Sequence, residues 1–268
     1  VRILIAVGSY NRPFDIKKTT SYWLQGLQKY PYVVCVEPQQ RLLYSQTIPA
    51  TNLIVSSTGC YQCGQLLRIK EYAAANGFTH VLKVDDDSWF TDRKNTRKAD
   101  AAIVIERALD DMSAAIEGRD DIGAVGFIKV RTLLYNKENV RFLKFNRFLV
   151  SSYLIDIRYW DFPHKIWGFE DCWTTLNVTQ RHGKKIALYG RMALNASFGA
   201  NPGGLQSENG TAGREGKALL DLQMMQQDYP LLVWNENREH LTDSMTLDID
   251  TSMYVNTIPL PKDDPLNS

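Results

Sequence analysis

Residues 80–90 read HVLKVDDDSWF: a strand-length apolar run that ends on three consecutive aspartates. Side by side, Asp85, Asp86 and Asp87 repel one another and require positive charge from elsewhere in the molecule. The fold follows from what surrounds this stretch. Upstream lie three more strand-like runs, RILIAV (2–7), YVVCVEP (32–38) and NLIVSS (52–57). Between them, TTSYWLQGLQKY (19–30) and GQLLRIKEYAAANG (64–77) carry helical spacing, the first stopped by Pro31 and the second closed by Asn76-Gly77. Strands separated by helices of this length predict an α/β protein with a mostly parallel, doubly wound sheet. In such sheets ligands bind beyond the carboxyl ends of the strands, where GSYNRP, EPQQ, SSTG and DDDS would converge.

Downstream the pattern continues. A helix is predicted over 99–118, strands over 122–130 and 147–157, a helix over 168–183 and a strand over 184–190. A stretch with six glycines, SFGANPGGLQSENGTAGREG (197–216), reads as a long loop, either disordered or a functional lid. A last helix is predicted over 217–230. No linker divides two cores, so the reading is one domain over 1–230, made of two halves, 1–98 and 99–230. The remainder, 231–268, is a C-terminal extension whose last residues are expected to be mobile.

Bulk properties exclude several classes. The 268 residues are 44% hydrophobic and 23% charged, with net charge +1 and a pI near 7.8. No apolar run approaches the ~20 residues of a membrane span, and the first residues do not read as a signal peptide. The expectation is a cytoplasmic protein with no membrane partner. Four scattered cysteines make no disulfide framework, and Cys60-x-x-Cys63 lacks a second pair for zinc. Sequons at Asn177, Asn195 and Asn209 carry little weight without a secretory signal. Two basic stretches, TDRKNTRK (91–98) and VRFLKFNRF (140–148), offer phosphate contacts; their simpler readings are a solvated loop and a half-buried strand.

Adjacent carboxylates at a strand end suit a hard divalent cation, and Mg²⁺ is commonly held by one or two carboxylates plus substrate phosphates. The period of two would point Asp85 and Asp87 the same way and Asp86 the other. The competing reading is an acidic surface turn. A second constellation, WGFEDCW (167–173), puts Glu170 and Asp171 at a helix start. There they are either capping acids or part of a sugar pocket, with Trp167 as the stacking ring and a carboxylate as the proton acceptor.

In order along the chain, strand–SYNRP, strand–VEP, strand–D-x-D and WGFED resemble the GT-A nucleotide-sugar glycosyltransferases over residues 1–200. More narrowly, VVCVEPQQRLLY, VLKVDDDSWF and GANPGG resemble the TET/JBP-associated glycosyltransferases, phage and eukaryotic enzymes thought to glycosylate hydroxymethylated pyrimidines in DNA. The resemblance implies a Rossmann-like GT-A fold and a UDP-sugar donor. It also implies a Mn²⁺ or Mg²⁺ cofactor, DNA as acceptor and, for a phage enzyme, the cytoplasm of an infected bacterial host. Under it Ser9, Arg12, Glu37, Arg68, Asp85 and Asp86 would bind the donor, with Asp87 and Asp85 as metal ligands. Asp171, or Glu170, would be the general base, and Trp167, Gly168 and Asn201 would line the acceptor side. Many GT-A enzymes add a late histidine as metal ligand; none of His80, His164, His182 and His240 sits in an obvious ligand loop, and under the resemblance Asn201 of GANPGG would be a substitute. The rivals are a GT-A enzyme with a polysaccharide, lipid, glycan or protein acceptor, a non-catalytic nucleotide- or DNA-binding module of the same fold, and a nucleotidyltransferase.

Overall fold

Ile3, Ile5 and Val7 face one side of the first strand, β1 (Ile3–Gly8), and Leu4 and Ala6 face the other. All five are buried, so this strand lies inside a sheet covered on both faces. The computed structural model describes residues 1–13, 20–92, 100–129, 133, 140–162, 166–196, 210–234, 249–250, 254–261 and 263–267. The basic residues 93–98, His164, Asn201, Asn209, His240 and most of the glycine-rich stretch lie outside them.

β1 pairs in parallel with β2 (Tyr32–Val36) and β4 (His80–Asp85), and β2 pairs in parallel with β3 (Leu53–Val55). Beyond β4 come β8 (Tyr153–Asp156), β6 (Ile122–Lys129), β9 (Lys185–Ala196), β7 (Phe142–Phe145) and β12 (Ile258–Pro259). β5 (Ser88–Thr91) leaves the main path and pairs with β9. Taking β1 as the reference, β2, β3, β4, β6, β9 and β12 run with it, whereas β5, β7 and β8 run against it. The mostly parallel α/β sheet is therefore as expected, with β8 inserted antiparallel at its centre. A separate two-stranded ribbon joins β10 (Val233–Trp234) to β11 (Ile249–Asp250).

The helices flank this sheet. α1 (Thr20–Leu24) and α4 (Ala101–Ile116) cover the face of Ile3, Ile5 and Val7. α3 (Tyr61–Ala75), α5 (Glu170–Leu176) and α6 (Gly210–Asp228) cover the face of Leu4 and Ala6. A short α2 (Arg41–Tyr44) follows β2.

Several boundaries differ from the sequence reading. α1 stops at Leu24 rather than running to residue 30: Trp23 and Leu24 are buried and a turn follows at Gly26. The strand expected over 147–157 begins only at Tyr153, because Ser151 adopts φ 51° and its carbonyl turns inward to a buried lysine. The loop expected to run to 216 ends earlier, since α6 already starts at Gly210. The tail is also more ordered than expected: β12 adds an edge to β7 and Leu266 is fully buried. Within VRFLKFNRF, Phe142–Phe145 forms β7; Phe142 and Phe145 are in the core with Leu143 and Lys144 half-buried between them, and the register shift between the two phenylalanines breaks a strict alternation.

Candidate active site

The register of the parallel strands brings their carboxyl ends to one level. Gly8 lies opposite both Cys35 and Asp85, and Ser9 N–H donates to the Cys35 carbonyl at 3.0 Å. Ser56 N–H likewise donates to the Val36 carbonyl at 3.0 Å. Ser9, Glu37, Ser56 and the aspartates thus meet along one edge, with Ser9, Glu37 and Asp86 all buried.

β4 ends at Asp85, and Asp86 and Asp87 form a tight turn into β5. The period of two expected to set the direction of Asp87 therefore stops at Asp85, and the turn places Asp87 instead. Asp85 Oδ1 accepts from Lys83 Nζ at 2.5 Å, on the same face of the strand. Asp86 and Asp87 both reach Arg12: Arg12 Nη1 pairs with Asp86 Oδ1, and with Asp87 Oδ2 at 3.2 Å. Ser9 Oγ donates to Asp86 Oδ2 at 2.7 Å and lies 2.7 Å from the Tyr44 hydroxyl, which also accepts the Arg12 N–H at 3.0 Å. Gln65 Nε2 holds the Ser9 carbonyl at 2.9 Å. The positive charge required by the acid run comes from Arg12 and Lys83.

These two cations are shared widely. Lys83 is 1% exposed and donates also to the Ser151 carbonyl at 2.5 Å and to Glu170 Oε1 at 2.6 Å. Burial opposes its charge, but Asp85 and Glu170 outweigh burial and raise its pKa. Burial raises the pKa of Asp86 and Glu170 despite Arg12 and Lys83. Asp87 is pushed up to about 6, by burial first and then by Asp85 and Asp86. Among the described residues, the carboxylates at this strand end outnumber the cations paired with them.

Glu170 and Asp171 open α5. Glu170 is buried and tied to Lys83, whereas Asp171 is half-buried, with Oδ1 accepting the Cys172 N–H at 2.8 Å. Burial and the neighbouring Glu170 hold the Asp171 carboxyl well above the usual range. Asp221 of α6 accepts the N–H groups of Trp167 and Gly168, each at 2.8 Å. The Trp167 ring is 6% exposed with Lys217 Nζ 5.0 Å from its centroid, so it presents no open stacking face here. Glu37 accepts from Gln39 Nε2 at 2.5 Å. Arg68 lies at the end of β3, held by the Val55 carbonyl at 3.3 Å and by Glu71; none of its described contacts reaches Asp85–Asp87.

Sequence reasoning missed Lys83, Tyr44, Gln65 and Asp221. Lys83 left a signal, since a lysine within a buried strand must find carboxylates. Asp221 left a weaker one, as a lone acid among the apolar residues of ALLDLQMM.

No group of three or more His, Cys, Asp or Glu among the described residues is placed to hold a metal ion alone. His80 lies against Thr79 and Asp156, and His182 against Asp161, so neither is a ligand in the crevice. What the donor set fits is a cation completed by substrate oxygens: two carboxylates, one of them reluctant to ionise beside its neighbours.

The strand ends of this doubly wound sheet thus gather an acid run beside a second acid pair. A family model described as "TET-Associated Glycosyltransferase" matches residues 17–197, and the chain belongs to that family. Among solved structures it is similar to S. aureus TarS 1–349 in complex with UDP-GlcNAc, at 12% identity and TM-score 0.46, covering 86% of this chain and 73% of that one. It is also similar to mannose-1-phosphate geranyltransferase from Thermus thermophilus, at 11% identity and TM-score 0.38, covering 72% and 75%. No curated protein matches its sequence. No helix among the described residues is long and apolar enough to cross a membrane.

Proposed function

We propose that this glycosyltransferase moves a sugar from a UDP-sugar to the hydroxyl of a 5-hydroxymethylpyrimidine in DNA, with Mn²⁺ or Mg²⁺ at Asp85 and Asp87. The observation that carries the donor half is the gathering of carboxylates at the end of β4, where, among the described residues, Arg12 and Lys83 face Asp85, Asp86, Asp87 and Glu170. A divalent ion bound there would supply positive charge to the departing diphosphate. Ser9, Arg12 and Asp86 form a preorganised wall for the nucleotide, and Glu37 lies where the β2 end would meet its base or ribose. Arg68 flanks the same edge from α3.

Asp171 is the general base in this reading. Glu170 is committed to Lys83, while the Asp171 carboxyl is half-buried and raised in pKa by burial and by Glu170, which makes it the stronger proton acceptor once ionised. Gly168 and Asn201 remain the acceptor-side candidates, with Trp167 supporting this turn from beneath Lys217 rather than stacking on the acceptor. The DNA acceptor rests on the family to which the chain belongs, and a duplex base would have to be flipped out to reach the crevice.

The test is direct. The protein is incubated with a panel of UDP-sugars, Mn²⁺ and either hydroxymethylcytosine-containing or unmodified DNA, and the digested nucleosides are weighed. Gain of one sugar mass on the hydroxymethylated DNA alone is expected. No gain with any UDP-sugar would overturn the DNA acceptor and favour a glycan or protein acceptor on the same fold.

A further inference from the structure

We propose that Asp221 is the positioning residue of the acceptor side, clamping the turn that presents Asp171 from a helix far away in the chain. This rests on the reading of Asp171 as the base. α5 starts at Glu170, and its N-cap residue, Phe169, makes no side-chain capping bond of its own. A helix start leaves its first N–H groups without partners, and a side-chain oxygen normally satisfies one of them. Here the carboxylate comes from α6 and holds the turn that leads into the helix, up to its N-cap residue, rather than the N–H groups of the helix's own first turn. Asp221 Oδ1 accepts the Trp167 N–H at 2.8 Å and Oδ2 accepts the Gly168 N–H at 2.8 Å, with the Phe169 N–H as a further donor. Three successive N–H groups thus converge on one carboxylate, the concave anion site of a peptide nest, filled by the protein's own side chain.

The placement is costly. Asp221 is 1% exposed, and its charge is met by main-chain N–H groups rather than by an ion pair to a described cation. Burial outweighs those donors and raises its carboxyl to about 6. One turn earlier on the same helix face, Lys217 lies over the Trp167 ring at 5.0 Å, so α6 grips both the backbone and the side chain of this turn. From the opposite side, Lys83 of β4 grips Glu170 at 2.6 Å. The helix start is therefore fixed between β4 and α6, which leaves Asp171 as the acid not spent on either brace.

Asp221→Asn separates positioning from shape. The amide fills the same volume but offers one acceptor oxygen, and it turns its own N–H groups toward main-chain donors. Hydrogen–deuterium exchange of peptides spanning 166–176 reads the clamp without any activity. Release of UDP from UDP-glucose in Mn²⁺, with water as acceptor, reads its consequence. Expected in D221N are faster exchange confined to 166–176, an unchanged melting temperature to within a few degrees, an unchanged KM for UDP-glucose, and a kcat lower by roughly 10- to 100-fold. Unchanged exchange and kcat would overturn the proposal. So would kcat, KM and melting temperature failing together, which would assign Asp221 to the fold alone. If D221N does not fold, Asp221→Glu is the second arm. A folded D221E with lowered kcat at unchanged KM supports the clamp, whereas wild-type kcat or no folding overturns it. Failure of the base assignment looks different: Asp171→Asn would then turn over normally whatever D221N does.

Discussion

Lys83 donates to three oxygens from a position that water does not reach, and two of those oxygens belong to carboxylates on different elements. Removing one partner of such a buried pair costs about 3–5 kcal/mol, because a charge is left uncompensated. Glu170→Gln should therefore show its main effect as a lower unfolding midpoint in urea. Asp171→Asn should do the reverse, leaving stability intact or improved while lowering turnover roughly 10²- to 10⁴-fold. Asp87 gives a pH signature. Its folded pKa of about 6 is raised, so its contribution to stability is complete below the ordinary carboxylate range and is lost as pH rises through 6. Without metal, Asp87→Asn should be more stable than wild type at pH 7.5 by roughly 2 kcal/mol, a margin that vanishes toward pH 4. Urea titrations at the two pH values check this; equal stability at pH 7.5 would contradict the crowding of charge at this site. The acids were legible in the sequence because three together need a reason. Which cation served which acid was not legible, because Arg12 lies 74 positions from Asp86 and Lys83 lies 87 from Glu170.

At the scale of elements, the strands of the parallel half were read correctly because each is a short apolar run bounded by polar turns. β5 was missed: Ser88–Thr91 follows the acids directly, and its partner β9 is about a hundred residues later. The late start of β8 was missed for a related reason. Phe-Leu-Val at 148–150 looks like strand, but the local chain bends to give Lys83 the Ser151 carbonyl. The start of α6 was obscured by its glycines, whose low helix propensity masked the first two turns. α3 carries a test of packing at its own beginning. A Cβ on Gly64 would lie 2.3 Å from Cys60 Cβ and 2.7 Å from its sulfur, so the first turn of α3 tolerates no side chain there. Gly64→Ala should cost about 2 kcal/mol despite the better helix propensity of alanine, seen as a fall of roughly 5 °C in Tm. A higher Tm would mean that this turn is looser than the packing implies.

Across the whole molecule, the sheet divides the work. Its parallel half, β3–β2–β1–β4, delivers Ser9, Glu37 and the three aspartates to one edge, and the half beyond β8 carries α5 with Asp171. Lys83 and Asp221 are the points at which the two halves and α6 meet. Fold class and the meeting of the strand ends along one edge followed from the alternation of strands and helices, since strand ends in such sheets must converge. The acceptor side did not, because it depends on contacts between segments remote in sequence. The account rests on a divalent ion at Asp85 and Asp87 acting on the diphosphate of a UDP-sugar. The most direct measurement is UDP release from UDP-glucose by wild type and Asp87→Ala, in saturating Mn²⁺ and again in excess chelator. The account predicts turnover only for wild type with metal, with losses of at least about 100-fold in the other three conditions. Full turnover in chelator, or a wild-type rate in D87A, would contradict it.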